Sequence, residues 1–249
     1  MDPLRFLACI MVLWLSCALL AAGCCDAPEK NRATESDREV FAKMSAIFDK
    51  TLESSGTNYL QYEHQLLEGG EPETSQMLSQ RLGDPDPMVR LTAQAFLDGK
   101  GQWARYHKEA SAWLGGIADR PKWTLASDPT PQTLARSLSL DFKDHVANFL
   151  AVKLVKDVKE ERREVSPKWL KQGVILYLQQ QKKPSTTAGL IRFAEETNDP
   201  QLRDSAIDAI RSIPDPELSG KIEAERKRAQ AQGKELPPAL DALRNTGPK

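Results

Sequence analysis

Beyond Cys25 the chain has no cysteine; its four are Cys9, Cys17, Cys24 and Cys25. No disulfide can staple the body and no thiolate can hold a metal there, so the fold must rest on apolar burial. Histidine is almost as scarce, with His64, His107 and His145 the three present. They lie far apart in sequence and none is followed by Glu, so no metal or other cofactor is expected. An excess of one charge is also lacking. Lys and Arg number 34 against 35 Asp and Glu, a formal net charge of -1. That excludes the basic surplus which draws proteins onto nucleic acid, so no nucleic-acid partner is expected. There is no P-loop, no Gly-x-Ser-x-Gly elbow and no His-Glu-x-x-His helix. Gly99-Lys100-Gly101-Gln102-Trp103-Ala104 has the spacing of a dinucleotide fingerprint, but it follows a helical pattern rather than a strand. No catalytic residue is assigned.

What is present suits a folded protein. Of 249 residues 40% are hydrophobic and 28% charged, too apolar for a disordered chain and long enough to bury a core. The first residues read as a targeting segment. Arg5 is followed by the mostly apolar Phe6–Ala22 and then by small residues leading to a cysteine, the order of a secretory signal. That run is at the short limit for a spanning helix, which needs about 20 residues.

Ala21-Ala22-Gly23-Cys24 resembles a bacterial lipobox, with Ala21 where that motif prefers Leu. The resemblance implies cleavage after Gly23 and acylation of Cys24, with Cys25 as a second candidate. Plain secretion and an uncleaved anchor are the alternatives. The expected organisation is a signal peptide over 1–23, a lipidated cysteine and flexible tether over 24–35, a helical domain over 36–232 and a flexible tail over 233–249. The tether, about 12 residues long, would reach roughly 20 Å.

From Ser36 onward almost every segment carries a helical period. Ser36-Asp37-Arg38-Glu39 is a capping box ahead of a stripe of Val40, Phe41, Met44, Ile47, Phe48 and Leu52. Short helices are predicted to Gly69 and from Pro72 to Gly83. The next follows Asp84-Pro85-Asp86-Pro87, and Trp103, Tyr106, Ala110, Trp113 and Leu114 mark another. Leu134 and Leu138 mark a helix, and Phe142, Val146, Phe149, Leu150, Leu154 and Val158 a longer one. Further helices carry Trp169 to Leu178, Leu190 to Ala194 and Leu202 to Ile213. A last one, about 216–232, is mostly charged and weakly amphipathic. The class is all-α.

One pattern repeats. Asp86-Pro87-Met88-Val89-Arg90-Leu91-Thr92-Ala93 returns as Asp199-Pro200-Gln201-Leu202-Arg203-Asp204-Ser205-Ala206. Each copy continues with an apolar pair, Phe96-Leu97 or Ala209-Ile210. A degenerate copy runs from Phe142 through Val146 to Phe149-Leu150. Aspartate can cap a helix whose first position is Pro, and the apolar residues then form one stripe. This Asp-Pro-x-apolar-Arg-x-x-Ala pattern resembles the HEAT and HEAT-like repeat family, across roughly 71–213. The resemblance implies an irregular α-solenoid of HEAT-like helical hairpins, in which Arg90 and Arg203 hold neighbouring turns together. The copies, at 89, 142 and 202, are further apart than the family's repeat of about 40 residues, so extra helices must stand between them.

Two surface readings follow. The mixed run Lys153 to Arg163 reads as a solvated face. Gly115 to Pro131, the longest aperiodic stretch, carries Arg120, Lys122 and Trp123, residue types that anchor interfaces; the alternative is that Trp123 closes the core over Trp103 and Trp113. The expected function is a non-catalytic envelope lipoprotein whose solenoid surface binds or scaffolds another envelope protein, held to a membrane by its lipid. A groove binder of a lipid or glycan is the alternative, and an enzyme of unrecognised type the second.

Overall fold

The computed structural model describes residues 35–54, 56–69, 72–98, 130–159 and 168–243. Among these there are eleven α-helices, one 3-10 turn and no strand, so the protein is all-α. Contacts divide the chain into Met1–Glu39 and Val40–Lys249. Of the first unit, only the opening of helix α1 (Glu35–Glu53) is described. That helix already includes Ser36, which the capping box would place just outside it. No helix among the described residues is long and apolar enough to cross a membrane.

In the second unit α2 (Gly56–Leu67), α3 (Glu73–Arg81) and α4 (Pro87–Asp98) follow. After residues outside the description come α5 (Pro131–Asp141), α6 (Ala147–Lys159), α7 (Lys168–Gln181), the turn Pro184–Thr186 and α8 (Thr187–Glu196). The remaining helices are α9 (Pro200–Ser212), α10 (Leu218–Ala231) and α11 (Pro238–Leu243). Alternate helices pack side by side: α5 on α7 on α9, and α4 on α6 on α8 on α10. Glycine permits close approaches between helices. A Cβ on Gly189 would stand 2.9 Å from that of Ala151, and one on Gly173 would stand 2.5 Å from a methyl of Leu134.

The apolar stripes are buried in two clusters. A smaller one joins Met44, Ile47, Phe48, Leu66, Met77 and Leu78 to Ala93 and Phe96 of α4, with Phe48 and Phe96 edge to face at 6.2 Å. The larger one runs from Met88, Leu91 and Ala95 of α4 through Leu243. Helix α4 therefore buries two faces, and its apolar residues serve both clusters.

Four expectations need correction. Residues 142–158 are not one helix, because α5 ends at Asp141 and α6 begins at Ala147. Between them Lys143 takes φ +50, and its carbonyl accepts the Tyr177 hydroxyl, which burial holds in its neutral donor form. Phe142 and Val146 are nonetheless buried, so their periodicity reported burial rather than helix. The tail from 233 is not free throughout: 238–243 is helical, with Leu240 and Leu243 in the large cluster. The run from Lys153 is not simply solvated. Lys156 is 6% exposed and donates to the carbonyls of Thr51 (2.8 Å), Leu52 and Ser54 (2.7 Å), closing the end of α1. Finally, Pro131 does not belong to a loop; Thr130 caps α5 and Pro131 opens it.

Candidate functional site

The Asp-Pro turns organise the second unit. Asp86 Oδ1 accepts from the backbone N–H of Met88 at 2.8 Å, and Asp199 Oδ1 from those of Gln201 and Leu202 at 2.9 and 3.2 Å. The arginine of each copy reaches back over its turn. Arg90 Nη1 donates to the carbonyls of Asp84 (2.8 Å) and Pro85 (3.1 Å); Arg203 donates to those of Thr197 (2.6 Å) and Ala194 (3.2 Å). Guanidinium donors on free carbonyls satisfy groups that the turn would otherwise leave unpaired.

Another such turn, Asp215-Pro216-Glu217-Leu218, is not marked by the repeat pattern, because no Arg or Ala follows at the repeat's spacing. Its Asp215 Oδ1 accepts from Glu217 N at 2.9 Å. Asp86, Asp199 and Asp215 each also meet a cation: Asp86 lies 3.5 Å from Arg192, Asp199 2.7 Å from Lys168 and Asp215 2.7 Å from Lys221. The Lys168 ammonium holds the Asp199 carboxyl below its ordinary range.

Helix α10, mostly charged and weakly amphipathic in sequence, buries part of that charge. Lys221, Glu225 and Arg228 recur at i, i+4 and i+7, one helical face, and that face packs on α8. Glu225, 1% exposed, accepts Arg192 Nε at 2.6 Å and, with its other oxygen, Arg192 Nη2; it also accepts Arg228 Nε at 2.7 Å. Arg228 continues to Glu195 and stands 3.7 Å from Glu196. Burial pushes the Glu195 carboxyl up against the pull of Arg228, and its Oε1 is buried without a hydrogen-bond partner among the described residues. Burial also opposes the charge on Arg228, but Glu225 and Glu195 outweigh it and raise its pKa. Lys221 uses its ammonium on Asp215, the Pro184 carbonyl (2.7 Å) and Thr187 Oγ1 (3.2 Å).

Above this buried pair lies a groove of about 380 Å³. Pro87, Leu91, Pro184 and Pro216 form its apolar walls, and Arg90 and Gln94 its polar edge. The geometry can hold an extended apolar segment beside a guanidinium.

The histidines are placed differently. His64, with 71% of its side chain exposed, lies 3.2 Å from Glu68; His145, 57% exposed, lies 3.9 Å from Asp144, whose carboxyl Lys183 holds down. Among the described residues no three His, Cys, Asp or Glu side chains are grouped to hold a metal ion. Cys24, Arg120, Lys122, Trp123 and His107 lie outside the described residues.

No protein-family model, curated protein or solved structure matches the chain.

Proposed function

We propose that this protein is an exported, lipid-anchored binding or scaffolding module of the bacterial cell envelope, built as an irregular α-solenoid of HEAT-like hairpins and engaging another envelope protein. One observation carries the reading. Alternate helices pack in two rows, α5–α7–α9 and α4–α6–α8–α10, as they must when hairpins that cannot bury their own stripes stack on one another. Such stacks present long surfaces of the kind that bind partners. The lipobox-like Ala21-Ala22-Gly23-Cys24 supports the anchor, and Arg120, Lys122 and Trp123 are proposed as a contact element.

Two experiments test it. Crosslinking the native protein in its own cells should capture a discrete envelope partner, and Trp123→Ala should weaken capture by more than about 1 kcal/mol with an unchanged melting temperature. Labelling with a fatty-acid analogue should vanish in Cys24→Ser. Labelling that survives removes the anchor site, and absence of any captured partner removes the scaffold.

A further inference from the structure

We infer that the groove between α4 and the Asp215–Lys221 turn receives the C-terminus of an extended peptide, with its free carboxylate on Arg90. The inference rests on the protein-binding reading above and names the groove as the site. Its volume, about 380 Å³, lies at the small end of the roughly 300–1,000 Å³ of ligand sites. It has room for a few residues of extended chain rather than for a helix.

The donor is built and aimed. Arg90 Nη1 is committed to the Asp84 and Pro85 carbonyls, which fixes the plane of the guanidinium. Among the described residues Nη2 faces a loose partner, Glu217 at 3.9 Å, whose side chain is 70% exposed. A pair so open to water is worth little and is readily exchanged. An incoming carboxylate meets Nη2 with charge-assisted hydrogen bonds, and Glu217 turns out to solvent.

The rest of the lining selects a peptide. Gln94 spends its amide nitrogen on Asp98 at 2.6 Å, leaving its carbonyl oxygen as an acceptor. Ser185 donates to Asn148 at 2.6 Å and so offers lone pairs. Both can accept chain N–H groups, which a fatty acid lacks. Proline walls bring no N–H of their own, so they receive apolar side chains without competing donors. A phosphate would carry more negative charge toward Asp215 and Glu217. Lys221 does not compete for the anion, because its ammonium is already placed on Pro184, Thr187 and Asp215. It instead ties the Pro184 wall to the Asp215 turn and leaves the groove formed in advance.

The test titrates the full chain with acetyl-Gly-Pro-Leu bearing a free carboxylate, with its C-terminal amide, and with octanoate. The free-carboxylate peptide should bind saturably, and amidation should weaken it about tenfold. Glu217→Gln should tighten it about threefold and Gln94→Ala weaken it about threefold. Both changes are at the surface, and unchanged melting curves confirm that the variants fold. Equal binding of peptide and amide, affinities unmoved in both variants, or no binding at millimolar concentration overturns the assignment. Octanoate binding as tightly as the peptide overturns the peptide as occupant. If in-cell capture of a partner persists while the peptide fails, the groove is removed and the binding reading stands. Loss of capture with peptide binding intact removes the scaffold reading alone.

Discussion

Arg192 of α8 and Glu225 of α10 form a two-pronged ion pair across 33 residues of sequence, with side chains only 8% and 1% exposed. Arg192 also reaches Asp86, the cap of α4, at 3.5 Å. One guanidinium thus ties together three helices of the α4–α6–α8–α10 row. Removing a buried partner strands the other charge, so Glu225→Ala should cost about 3–5 kcal/mol in urea unfolding. The apolar double replacement Arg192→Met with Glu225→Leu should cost less than Glu225→Ala alone. A double variant worse than the single would mean the pair adds net stability.

Glu195 sets a pH dependence. Burial raises its pKa in the folded protein, so the folded state binds its proton more tightly than the unfolded state does. Stability from this group is therefore present at low pH and lost as pH rises through the raised value. Wild type should gain stability relative to Glu195→Gln as pH falls from 7 toward the ordinary carboxylate range. Chemical unfolding of both proteins at a series of pH values measures the difference. A difference that does not change with pH would show that Glu195 titrates normally.

Lys156→Met should destabilise the protein by about 1–3 kcal/mol, because it leaves the carbonyls of Thr51, Leu52 and Ser54 without that donor. Hydrogen exchange should speed up in the last turn of α1 before elsewhere. Unaltered exchange there would mean that water replaces the ammonium.

Gly189→Ala places a methyl 2.9 Å from the Ala151 Cβ and 3.0 Å from its carbonyl oxygen. The helices must part, at a cost of about 1–3 kcal/mol. Adding Ala151→Gly should recover only part of this, since the carbonyl stays in place. Full recovery in thermal melts would show that the side-chain clash alone matters.

Ile210, fully buried in α9, should cost about 2–5 kcal/mol when cut to Ala. A loss below about half a kcal/mol would mean the stripe of the second Asp-Pro copy is not core.

Local chemistry was legible without the structure. Asp86 and Asp199 as caps, prolines at the first helical positions and the stripes from Met44 to Ile210 follow from hydrogen-bonding rules and a 3.6-residue period, and these decide helix against strand. The groove and the buried charges were not legible. The helix over 216–232 read only as mostly charged and weakly amphipathic, and that pattern does not mark Lys221, Glu225 and Arg228 for burial, since charge is normally kept in water. Only the packing of α10 on α8 supplies Arg192 and Glu195 as the partners that make the burial of Glu225 and Arg228 tolerable. Lys156 likewise became a cap only because the fold brings it to carbonyls about a hundred residues earlier. Phe142 and Val146 kept their burial but lost their helix to a turn that Tyr177 holds from another segment. The sequence by itself determined the helices and their inward faces, which depend on neighbours within a few residues. Tertiary structure alone decided which charges meet, because an ion pair depends on distance in space and a one-dimensional pattern does not carry it.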